Sequence, residues 1–110
     1  MAYVIDGVER ETDDEGYLLE PDYSDAACEV IAAAEGIALT DAHREVIEYM
    51  RERYREDGHT PNFRNMLKGF AESVRPGTDS KYLYDLFPAG PAKQAAKIAG
   101  LPKPYGKGGY

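Results

Sequence analysis

The stretch "TPNFRNMLKGFAESV", residues 60–74, decides the fold. Its apolar residues Phe63, Met66, Leu67, Phe70, Ala71 and Val74 recur at alternating steps of three and one. A helix of about 3.6 residues per turn gathers that spacing on one side, so the segment is expected to be a helix with one buried face. Thr60 and Pro61 supply the start signal. A hydroxyl can cap the free backbone N–H groups, and proline suits the first helical position, where no hydrogen bond is lost. Pro76 and Gly77 break the chain afterwards. Phe63, Leu67, Phe70 and Val74 are expected to be largely buried together with Val46, Ile47, Met50, Leu83 and Leu86.

Upstream, Thr40 can cap a longer helix ending at Gly58, with Asp41 in its first turn, where the positive helix end favours an acid. Val46, Ile47, Met50 and Tyr54 form its apolar stripe. Thr40–Gly58 followed by Thr60–Arg75 therefore has helix–turn–helix connectivity. Before it, Ser24 can cap a helix from Asp25 to Glu35, with Ala27, Val30, Ile31 and Ala34 inward and Gly36 as its stop. Asp6-Gly7, between two short β-compatible runs, signals a tight hairpin. Tyr17 and Leu18 are expected to cover one edge of the core.

Downstream, Asp79 or Ser80 can begin a short helix through "KYLYDLF". Pro91 suits the first turn of a last helix, Ala92 to Ala99, which Gly100 ends. The expected architecture is mainly α (α+β): about five helices, a small N-terminal β-hairpin and a flexible C-terminal arm. Residues 1–100 would form the domain and residues 101–110 the arm.

Composition narrows the function. The chain has 110 residues, 43% hydrophobic and 30% charged, as expected of one ordinary globular domain. No apolar run is long enough for a membrane span, and the start lacks the basic and apolar regions of a signal peptide. The single cysteine, Cys28, excludes an intrachain disulfide and a cysteine-rich metal site. These features are expected of a cytoplasmic protein. Residues 1–40 hold eleven acids and one base, whereas residues 41–110 hold nine acids and twelve bases. After Asp85 come Lys93, Lys97, Lys103 and Lys107 and no acid, a basic limb suited to an acidic cleft on a partner.

No catalytic, cofactor or metal constellation is expected. His43 and His59 lie sixteen residues apart without a third ligand at metal spacing. Both are expected at the surface or as capping residues. The acids of residues 9–15 miss the calcium-loop pattern. Cys28 lies beside the inward stripe of its helix and is expected to be a small buried hydrophobe, with Asp25 and Glu29 raising its pKa and opposing reactivity. A DNA-reading use of the helix–turn–helix segment would have Asn62, Arg64, Asn65 and Lys68 to offer to bases.

The segment "SKYLYDLFPAGPAKQAAKIAGLPKP", Ser80 to Pro104, closely resembles the DsrC/TusE sulfur-relay family, which includes the so-called gamma subunit of dissimilatory sulfite reductase. "DGVERETDDEGYL", "AEGIALTDAHREVIEYMRERY" and "TPNFRNMLK" match in the same order, so the likeness spans nearly the whole chain. The resemblance implies a helical fold with a small hairpin and a flexible C-terminal arm. It implies an arm cysteine that passes a persulfide between proteins, towards 2-thiouridine in tRNA in one branch and to dissimilatory sulfite reductase in another. The second branch adds an arm cysteine eleven residues earlier. Counted from Lys103-Pro104, these positions hold Lys107 and Ala96.

A lysine amine is protonated near neutral pH and forms no persulfide. The expected role is thus a protein that binds a sulfur-relay or sulfite-reductase partner without carrying sulfur, as a regulator or competitor. The expected contacts are Gly100, Leu101, Pro102, Lys103, Pro104, Tyr105, Gly106 and Lys107. Two alternatives stay open: a sulfur carrier using Cys28, which needs an exposed thiol near the arm, and a DNA-binding regulator.

Overall fold

The computed structural model describes residues 2–103. Strands β1 (Ala2–Ile5) and β2 (Val8–Glu11) pair antiparallel, with Ala2 opposite Glu11 and Ile5 opposite Val8. The turn between them places Asp6 at φ 51° and Gly7 at φ 78°. A two-residue primed turn needs positive φ at both positions, which asparagine, aspartate and glycine tolerate best. Among the described residues five helices follow: α1 (Asp25–Ala34), α2 (Asp41–Asp57), α3 (Phe63–Ser73), α4 (Ser80–Leu86) and α5 (Pro91–Ile98).

Helix α5 is the centre of the domain and packs against α1, α2, α3 and α4. Its Ala92, Ala95 and Ala96 are fully buried. Small side chains on several faces let neighbouring helices approach one short helix closely. The long side chains come from around it: Ile31, Met50, Met66, Phe70, Leu83 and Phe87 are all buried. Tyr17 and Leu18 close the edge beside the hairpin, as expected, each 2% exposed.

Capping sets most of the boundaries. Ser24 accepts from the Ala27 N–H at 3.1 Å, and Asp79 accepts from Tyr82 at 2.9 Å. Helix α3 departs from its expected start. Its cap is Asn62, whose side-chain oxygen accepts from the Asn65 N–H at 2.9 Å, while Thr60 and Pro61 lie buried ahead of it. An amide oxygen in the right place competes successfully with the Thr-Pro signal.

Three burial expectations are corrected. Val74 is 40% exposed, whereas Phe63, Leu67 and Leu86 are partly buried against the core; of the α3 stripe only Met66 and Phe70 are sealed. The body covers α3 along one line, so the ends of its stripe emerge. On α1, Ala34 is exposed and Val30 half-buried, because the helix turns Cys28 and Ala32 inward with Ala27 and Ile31. His43 is buried rather than at the surface. It does cap: its Nδ1 accepts from the Thr40 N–H at 3.2 Å, which leaves Nε2–H to donate to the Leu86 carbonyl at 2.8 Å. Its ring meets Phe87 edge-on at 5.2 Å.

Candidate functional site

The sequence directs attention to the end of α5, where the chain leaves the core. Gly100 stops the helix at φ +77°. Its N–H donates to the Lys97 carbonyl at 3.1 Å, and the Leu101 N–H donates to the Ala96 carbonyl at 3.0 Å. This pair of bonds closes a helix C-terminus through a left-handed glycine. The Gly100 carbonyl accepts from the Asp22 N–H at 2.9 Å. A Cβ on Gly100 would lie 2.0 Å from the Asp22 carbonyl oxygen, so only glycine fits.

Asp22 is itself held. Its carboxylate accepts from the Ser24 N–H at 2.8 Å and from Arg10 at 2.8 Å. Burial pushes the Asp22 carboxyl up, but the Ser24 hydrogen bonds and the Arg10 guanidinium together hold it below the usual carboxylate range. A depressed folded-state pKa contributes stability above the unfolded value of about 3.9, and that stability is lost as pH falls through the lower folded value. Asp22→Asn should therefore flatten the acid limb of a stability-versus-pH curve. An unchanged acid limb would contradict this account of the clamp.

Arg51 holds the root from the other side. Its Nε donates to the Ala99 carbonyl at 3.0 Å, and its Nη2 to the Ser24 carbonyl at 3.2 Å and the Cys28 Sγ at 2.9 Å. The guanidinium is buried, and among the described residues no carboxylate pairs with it. One side chain of α2 thus ties the start of α1 to the end of α5. Tyr23 covers the outside, 5.9 Å from Arg51 and 4.9 Å from Arg55.

Of the expected contacts, Gly100 and Leu101 are buried, Pro102 is half-buried and Lys103 is exposed. Lys103 pairs with Glu15 in the loop after β2. Pro102 and Lys103 line a hollow with Tyr54, Gly58, His59 and Thr60. Pro104, Tyr105, Gly106 and Lys107 lie outside the described residues. Ala96 is fully buried in α5. Sequence reasoning missed the clamp of Arg10, Asp22 and Arg51. Arg51 had a usable signal: it stands four residues after Ile47, hence next to the buried stripe of α2. Asp22 had none beyond its place just before the Ser24 cap.

Cys28 is 1% exposed. Burial pushes its thiol up, against the pull of Arg51. The carrier alternative needs an exposed thiol, and the thiol lies sealed beneath Arg51, although that same guanidinium reaches the root of the arm. The DNA alternative meets a different obstacle. Beside α3, the outer face of α2 carries Glu45, Glu48 and Glu52, which repel a phosphate backbone. Among the described residues no group of three or more His, Cys, Asp or Glu side chains could hold a metal ion. Among the described residues no helix is long and apolar enough to cross a membrane.

The described residues define a class: a small helical domain whose last helix ends at a root held by Asp22 and Arg51. Known proteins of this class match closely. The family model described as "DsrC like protein" matches residues 4–107. A "Sulfurtransferase TusE homolog" of Haemophilus influenzae is 50% identical over 104 residues, covering 91% of this chain and 94% of the relative. The "Sulfurtransferase TusE" of Escherichia coli K12 is 48% identical, covering 92% and 94%. The solution structure of Allochromatium vinosum DsrC superposes with a TM-score of 0.86 at 41% identity, covering 96% of this chain and 98% of that one. The oxidized gamma subunit of dissimilatory sulfite reductase from Archaeoglobus fulgidus gives 0.83 at 33% identity, with the same coverage. The chain belongs to the DsrC/TusE sulfur-relay family.

Proposed function

We propose that this chain is a family member that docks on a sulfur-relay or sulfite-reductase partner through its C-terminal segment without carrying persulfide. The observation that supports this reading most is the pair of substitutions, Lys107 and Ala96, in an otherwise family-like chain. Neither side chain accepts sulfur. The persulfide relay needs a thiolate that attacks the outer sulfur of a donor persulfide and releases the donor's own thiolate.

What remains is suited to docking. Residues 1–100 serve as the body. Gly100 and Leu101 act by anchoring, because they are packed inside. Pro102 and Pro104 restrict the segment and lower the entropy lost on insertion. Gly106 permits a bend. Lys103 and Lys107 supply charge for an acidic cleft, and Tyr105 supplies an amphipathic anchor. Binding such a partner without delivering sulfur would make the chain a competitor or regulator of the relay.

The test is a titration of the full-length chain against the sulfite-reductase or sulfur-relay protein of the same cell. Lys103→Glu combined with Lys107→Glu should weaken binding by about tenfold. Added salt should weaken it as well, because exposed charges are screened over about 8–10 Å. Binding that ignores both changes would remove the segment from the interface.

A further inference from the structure

We propose that the groove between α2 and the end of α3 is a second docking surface, and that its occupant is a basic protein segment presenting an aliphatic side chain between its positive charges. The groove encloses about 440 Å³. Glu45, Glu48 and Glu52 line its α2 rim, while Tyr49 and Val74 supply its apolar surface. Glutamates at steps of three and four form one acidic stripe along a helix.

The apolar part is firmly built. Tyr49 stacks edge-on against buried Phe70 at 5.7 Å. Its hydroxyl sits over Gly69, where a Cβ would come within 1.9 Å, so the missing side chain makes the space for the ring. Val74 continues the stripe that α3 seals at Met66 and Phe70, yet 40% of it stays exposed. The apolar face of α3 runs past the body that covers it and ends inside the acidic rim.

Charge identifies the occupant. With Asp57, which lies 3.7 Å from Arg53, and with Arg55 counted in, four carboxylates stand against two guanidiniums at the rim. Arg55 reaches Glu48 at 3.4 Å and Glu52 at 3.1 Å, whereas Glu45 has no ion pair among the described residues. Such a rim attracts a basic segment and repels an acidic one. An aliphatic side chain laid on Val74 and Tyr49 removes apolar surface from water. Among the described residues none lines both this groove and the hollow at Pro102 and Lys103.

The probe is a synthetic lysine–leucine helix of about fifteen residues, long enough to be helical on a surface, with a glutamate–leucine helix as control. Each is titrated into the isotope-labelled full-length chain, and backbone amide shifts are followed by NMR. The basic peptide should perturb Glu45 to Arg53 and Gly69 to Val74. Val74→Asn, at an exposed position, should lower its affinity by about threefold to tenfold. Glu45→Lys with Glu48→Lys should lower it by about tenfold or more. Attraction by charge alone would instead place the peptide on the acid-dense residues 9–22. Shifts centred there, equal binding of the acidic peptide, no binding at all, or an unchanged affinity in Val74→Asn would each overturn the proposal.

Discussion

Phe70→Ala is expected to lower the unfolding free energy by about 3–5 kcal/mol, the loss that accompanies a cavity where a buried aromatic ring stood. Phe70 is fully buried and carries Tyr49 edge-on at 5.7 Å. It is one of only two α3 stripe residues that the fold seals, so few other side chains compensate. Chemical denaturation of the two proteins checks this. A loss below about 1 kcal/mol would mean that α3 does not contribute to the core. Val74→Ala, by contrast, should change stability little, because that side chain is 40% exposed.

Gly100→Ala is expected to cost about 3 kcal/mol, from the left-handed conformation an alanine resists and from overpacking. The Cβ would meet the Asp22 carbonyl oxygen at 2.0 Å, so the root or the clamp must move. Gly36→Ala is the control. That glycine is also left-handed, at φ +72°, but a Cβ there meets nothing within 4 Å. Its cost should be confined to about 1–2 kcal/mol. Equal losses at the two positions would show that Asp22 does not hold the root closely.

The elements were legible because each is written in local terms. Hairpin, caps and stops follow from Asp6-Gly7, Ser24, Thr40, Asp79, Gly58 and Gly100, and all six act in the structure as their chemistry suggests. Periodicity shows which side of α3 is apolar, but not how far the body extends to cover it, and so Val74 was misplaced. Asn62 against Thr60-Pro61 was a contest between two valid signals. The clamp at the C-terminal root depends on long-range contacts, with Arg51 joining residues 24, 28 and 99. Polar contacts between segments distant in sequence leave little trace in local pattern. The proposal that Lys107 stands at the family's cargo position rests on the likeness to relatives alone, since nothing in the composition singles out that lysine.

The central claim is that this chain keeps the docking segment of its family and lacks the sulfur-accepting atom. It is tested most directly by mass mapping after incubation with a persulfide donor of the relay. The account predicts no added sulfur on the unaltered chain, whose one thiol is sealed under Arg51, and one added sulfur atom at position 107 in Lys107→Cys. Sulfur found on Cys28 of the unaltered chain would contradict it.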